Sequence, residues 1–132
     1  MAGRSVEFLA FWTERHLATL STPRADGTIH VVPVGVTVDV APGLARVITS
    51  GHSVKARRLL AAAAEGYPAL PAAVCQVDGA RWSTLEGVAV LNSDPAAVAE
   101  AVRRYAVRYR MPRENPARVV IEIEVLRVLG NQ

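Results

Sequence analysis

A single lysine, a single cysteine, few aromatic residues and no long apolar run mark this sequence. With Cys75 alone, no internal disulfide can form, and its place in the apolar run from Ala72 to Val77 reads as a small buried hydrophobe. No stretch approaches the roughly 20 apolar residues that span a bilayer. Phe8 to Trp12 is too short for a signal peptide, and Glu14 and Arg15 follow directly. A cytoplasmic protein without a membrane partner is expected. The net charge is +3, but no block of like charge makes a basic arm and no exposed aromatic motif offers bases a stacking surface, so no nucleic-acid partner is expected. His16, His30 and His52 lack metal-ligand spacing, and no serine sits on a nucleophile elbow.

What is present is ordinary for a folded chain: 132 residues, 51% apolar and 20% charged. That length predicts one domain over residues 1–132, with one core. Ser5 followed by Phe8, Leu9 and Trp12 predicts a short amphipathic helix. The period then changes, and strands are predicted over 16–22, 28–40, 44–50, 72–77, 81–92 and 118–129. Turns at Asp26-Gly27, Pro42-Gly43 and Asp78-Gly79 join several of them as hairpins. Helices are predicted from Ser53 to Glu65, closed by Gly66, and from Asp94-Pro95 to about Tyr109. The class is mainly β with packed helices, a six-stranded antiparallel barrel. In the last strand, Val119, Ile121, Ile123, Val125 and Arg127 share one face. The stretch from Ile29 to Val38 is apolar on both faces, which predicts a homodimer interface.

The lone lysine stands in Thr49-Ser50-Gly51-His52-Ser53-Val54-Lys55, where a strand ends, a glycine turns the chain and a helix begins. Helix N-termini carry unpartnered amides and favour anions. Gly51 would admit close approach, Thr49, Ser50 and Ser53 would add hydroxyls, Lys55 a charge, and Arg46 a second cation. These parts make a phosphate cradle. They equally make a plain N-cap at Ser53 with a solvated lysine after it. Arg103, Arg104, Arg108, Arg110 and Arg113 form either a solvated basic face or partners for ligand carboxylates. Glu122 and Glu124 read as a solvated strand edge.

The order "LATLSTPRADGTIHVVPVGVTVD", "ARVITSGHSVKARRL", "VCQVDGARWSTLEGVAVL" resembles the pyridoxamine 5'-phosphate oxidase-like split-barrel family, in its branch that uses the deazaflavin coenzyme F420. The segment "RYAVRYRMPRENPARVVIEIEVLRVLG" is similar to one member group, the F420-dependent biliverdin reductases. The resemblance covers about residues 8 to 130 and implies an FMN-binding split-barrel type of fold and a homodimer whose pockets draw on both chains. It implies a cofactor phosphate at Thr49, Ser50, Ser53 and Lys55, and a ring along Val32, Pro33, Val34 and Gly35. Gln76 matches a position near the cofactor, and Arg81 and Trp82 match positions near the interface that shape the pocket. Two departures stand out: Arg57 and Arg58 occupy the place of a usual asparagine, and the stretch from Lys55 to Gln76 is several residues longer. The expected activity is an oxidoreductase that passes a hydride from reduced F420 to an unsaturated small molecule, biliverdin first. The alternatives are an FMN enzyme of the same fold and a non-catalytic carrier of flavin, deazaflavin or haem.

Overall fold

The structure is a computed structural model and describes residues 3–132. The chain begins with α1 (Val6–Phe11), whose cap Ser5 accepts the Phe8 amide at 3.1 Å. Its apolar side buries Phe8 and Phe11. Next come β1 (Ala18–Pro23) and β2 (Ile29–Val34). Their hairpin is fastened by the Asp26 carboxylate, which accepts from the amide and hydroxyl of Thr28 at 3.0 and 2.6 Å. β3 (Thr37–Asp39), β4 (Leu44–Ser50), α2 (Val54–Ala64), β5 (Leu70–Asp78), β6 (Arg81–Asn92), α3 (Pro95–Arg108) and β7 (Arg118–Gly130) complete the order.

All strand pairs are antiparallel, in the order β2-β1-β5-β6-β7-β4-β3. The two outermost strands, β2 and β3, follow each other in the chain with only Gly35 and Val36 between them. Edges linked by two residues must lie close together, so the sheet curls until it almost closes. Inside it pack Leu20, Val36, Val47, Val74, Leu85, Ile121 and Ile123, with Phe8 and Trp12 at one end and Leu59 and Ala62 from α2. Each such side chain removed from water contributes roughly 1.5–3 kcal/mol before the entropy of ordering is counted.

The predicted helices, their caps Ser5, Ser53 and Asp94, and the class are found as expected. The strand count is not. Residues 28–40 form two strands, because the chain breaks at Gly35-Val36 to pass from one sheet edge to the other. β5 starts at Leu70, earlier than expected, with Pro71 opposite Val88. Cys75 is only partly covered, on the face of β5 opposite Val74 and Gln76. Arg127 does not share a face with Ile123. Glu86 pairs with Arg127 and Gly87 with Val125, so Leu126 is an extra residue that reverses the alternation. Val125 and Val128 then both pack on the core, and Arg127 is exposed. Gly87 is required at this bulge, since a Cβ there would run into the Glu124 carbonyl. Among the described residues no helix is long and apolar enough to cross a membrane.

Candidate functional site

The end of β4, the start of α2, the end of β2 and the α3–β7 loop enclose a cavity of about 310 Å³. Its walls are Pro33, Val34 and Gly35 on one side, and Ile48, Thr49, Ser50 and Lys55 on another. Tyr105, Pro112, Asn115 and Arg118 complete it. Two cations face this space, and no aspartate or glutamate does.

The hydroxyls are placed by the local turn. Ser53 caps α2 by accepting the Ala56 amide at 3.2 Å, and its oxygen also receives the Thr49 hydroxyl at 3.0 Å. Ser50 Oγ accepts the His52 amide at 3.2 Å, which leaves its own O–H to donate outward. The Ser53 amide is taken by Ser50 O, and the Gly51 amide by Ala117 O at 2.7 Å. This corrects the role expected of Gly51. The close approach it permits is that of the Ala117 carbonyl, 3.1 Å from where a Cβ would stand, and not that of an anion. The side-chain groups this turn leaves for the cavity are the Ser50 hydroxyl and the Lys55 ammonium. Burial alone pulls the Lys55 pKa below the ordinary lysine value, with no partner offsetting the loss of water. A cation half removed from water and facing a space free of acids is poised for an anionic ligand.

The opposite wall is the Pro33–Gly35 segment at the end of β2. Gly35 lies directly under two tyrosines, and a Cβ there would meet Tyr105 Cε2 at 2.8 Å and Tyr109 Cε2 at 3.2 Å. The ring centroids of Tyr105 and Tyr109 are 4.9 Å apart. Tyr109 Oη accepts the Val36 amide at 3.1 Å and donates to the His16 carbonyl at 2.6 Å. Burial raises the pKa of this phenol. The neighbouring Arg108 is buried and donates to the carbonyls of Glu14 at 2.9 Å and Val36 at 2.6 Å. It also donates to Gln76 Oε1 at 2.6 Å. Thus the C-terminal turn of α3 fixes the Gly35-Val36 link and so the cavity wall.

The residues anticipated from sequence divide accordingly. Pro33, Val34, Gly35, Thr49, Ser50 and Lys55 come together around the cavity. Ser53 supports it as a cap, and Val32 turns inward and packs on the core. Gln76 is fully buried, donates to Phe11 O at 2.7 Å and faces Arg108, away from the cavity. Arg81 and Trp82 begin β6 and do not line this space. Arg81 bridges Glu14 and Asp78 and stacks on Phe11 at 4.7 Å, while the Trp82 ring is exposed. Arg46 is drawn to Asp39, which Arg104 also binds at 3.0 Å. Glu100 is pulled down to about 2 by Arg103 and then Arg104. Arg58 donates to Pro23 O at 3.1 Å and Arg57 is exposed, so neither stands in for the usual asparagine at the cavity. Tyr105, Asn115 and Arg118 escaped the sequence reading. Tyr105 comes from α3, Asn115 from the proline-bearing loop after it and Arg118 from the first position of β7, and the pairing of β4 with β7 brings the last two here.

Comparison with known proteins adds to this geometry. Residues 6–132 match the family described as pyridoxamine 5'-phosphate oxidase. An F420H(2)-dependent biliverdin reductase of Mycobacterium tuberculosis (strain CDC 1551 / Oshkosh) is 54% identical over 127 residues, 96% of this chain and 88% of that protein. A conserved hypothetical protein of M. tuberculosis superposes with a TM-score of 0.76 at 22% identity, covering 98% of this chain and 85% of that one. An F420 reductase superposes with a TM-score of 0.69 at 21% identity, covering 91% and 94%. The two structural likenesses speak to the fold.

Proposed function

The chain belongs to the pyridoxamine 5'-phosphate oxidase family, and from that premise we propose that it is an F420-dependent oxidoreductase reducing an unsaturated tetrapyrrole, biliverdin. The observation that carries the reading is the acid-free cavity holding Lys55 and the Ser50 hydroxyl opposite the wall of Pro33 to Gly35. The residues present fit the cofactor on physical grounds: a half-buried, unpaired ammonium in a cavity without an acid suits a phosphate, and Pro33, Val34 and the Tyr105 ring give a ring system apolar surface beside it. The relative sharing 54% of its residues is itself an F420H(2)-dependent biliverdin reductase.

When bound, reduced F420 supplies a hydride. The protein's work is then to hold and orient. Lys55 and Ser50 would fix the phosphate end, and Thr49 and Ser53 keep the turn that carries Ser50 in shape. Pro33, Val34 and Gly35 would bear the ring, with Arg108 and Tyr109 keeping that segment still. Tyr105 and Pro112 would shield it from water. No side chain of the cavity is arranged as a nucleophile with a base, and hydride transfer asks for none.

The reading includes a homodimer. Ile29, Val31 and Leu126 are exposed, and Ile29 and Leu126 line a shallow apolar groove that runs across Pro23, Pro71 and Ala72. A second copy would cover this face, and Arg81 and Trp82, at the start of β6, would reach the cofactor's surroundings through such an assembly, while Gln76 stays in the interior of its own chain. Titration with F420 and with FMN, followed by biliverdin turnover at saturating reduced cofactor, tests the proposal. Tight F420 binding with turnover is expected. Preference for FMN refutes the cofactor, and binding without turnover of any unsaturated acceptor makes the protein a carrier.

A further inference from the structure

Lys55 does not stand alone in its cavity. Arg118, at the first position of β7, is the cross-strand partner of Ser50, and both face the same space. The segment before it is firmly built. Asn115 Oδ1 accepts the Ala117 amide at 2.9 Å, the Arg118 amide bonds Asn115 O at 3.1 Å, and Ala117 O receives the Gly51 amide. The loop is thereby fastened to the cradle itself. One nitrogen of the Arg118 guanidinium, Nη2, donates to the Arg113 carbonyl. The other donors have no partner of opposite charge on the cavity wall, since none of the lining residues is acidic.

Two positive groups line one cavity of about 310 Å³ whose wall carries no carboxylate, so an anion bound there would be attracted by both. We propose that Arg118 is the second anion-binding residue of this site, acting with Lys55 on a cofactor arm that carries more than one negative charge. This rests on the cavity being the cofactor site. The two side chains divide the work by their chemistry: an ammonium is a point charge, whereas a guanidinium presents a planar fork that matches a phosphate or carboxylate edge. In F420 both kinds of oxyanion occur, the phosphate and the carboxylates of its glutamate tail. In FMN only the phosphate occurs, and riboflavin has neither.

Those three ligands make the test. The full chain and its Arg118→Gln and Arg118→Lys variants are titrated with F420, FMN and riboflavin by fluorescence, with ligand-free thermal melts alongside. Arg118→Gln should weaken F420 binding about 10- to 100-fold, as expected for a charge-assisted hydrogen bond. Arg118→Lys should recover part of the loss, and riboflavin binding should not change. The salt dependence of F420 binding should become shallower in Arg118→Gln. Loss shared by FMN assigns Arg118 to the phosphate, and loss confined to F420 assigns it to the tail carboxylates. Either supports the inference. Unchanged F420 affinity in Arg118→Gln overturns it while leaving the proposed function intact. An equal loss for riboflavin also overturns it, because pocket shape and not charge would then have changed. If the wild-type chain binds no flavin or deazaflavin, yet inorganic pyrophosphate raises its melting temperature and Arg118→Gln abolishes that rise, the cofactor reading fails and the two-cation site stands.

Discussion

Replacing Arg108 by methionine tests the idea that the end of α3 holds the cavity wall in place. The guanidinium donates to Glu14 O, Val36 O and Gln76 Oε1 at 2.9, 2.6 and 2.6 Å, and more weakly to Phe11 O at 3.4 Å. All four acceptors are neutral, so burial lowers its pKa and desolvation takes back part of what these bonds contribute. Hydrogen bonds to a charged group are worth ~1.5–3 kcal/mol each, but they share one desolvation cost. Methionine would fill much of the volume and leave several interior acceptors without a donor. The expected loss is ~3–5 kcal/mol, typical of breaking a buried polar network at one member. For a chain of 132 residues, that corresponds to a fall in melting temperature of roughly 10–20 °C. Thermal and urea unfolding at one fixed protein concentration would measure it. A double-mutant cycle with Gln76→Leu should show a coupling of about 1–3 kcal/mol, since the two side chains satisfy each other. Cofactor affinity should fall as well, because Val36 O adjoins the Gly35 wall. A loss below about 1 kcal/mol, additive with Gln76→Leu, would refute the reasoning.

Other outcomes follow from the same geometry. Lys55→Ala should weaken F420 binding by roughly 1–3 kcal/mol in a fluorescence titration, with the melting temperature of the ligand-free chain little changed. Affinity should also depend on pH: Lys55 binds an anion only while protonated, and burial lowers its pKa, so binding is complete at neutral pH and is lost on the alkaline side, starting below the ordinary lysine value. A profile flat to the same pH as a Lys55→Arg variant would contradict this. Ser83→Ala should cost about 1–3 kcal/mol in urea unfolding, since it strands the buried Trp12 indole N–H, now 2.9 Å from Ser83 Oγ. Gly87→Ala should prevent folding or yield insoluble protein, because its Cβ has no room beside the Glu124 carbonyl. A wild-type melt for that variant would show that the bulge can be rebuilt.

Much of this molecule follows from local sequence alone. Caps such as Ser5, Ser53 and Asp94 act within three residues, and turns at Gly27, Gly43 and Gly79 depend on positive φ angles that glycine adopts without strain. Alternation along a strand reports burial directly, which is why most strands and the barrel class were legible. The Thr49–Lys55 segment was legible as a strand-to-helix turn for the same reason. Tertiary pairing alone decided the rest. The split of residues 28–40 at Gly35 exists because the two edges of one sheet must meet. The bulge at Leu126 reversed a face because β7 must pass Gly87, and no local preference encodes that. Gln76 is set near the cofactor by the resemblance alone, and only the fold shows that Arg108, 32 residues later, donates to its amide oxygen. Arg118 entered the site only because β7 pairs with β4, placing residues 50 and 118 side by side. A lone lysine can be found by counting. Its cationic neighbour arises from contacts far apart in the chain, whose pairing depends on the whole sheet and not on the residues beside them.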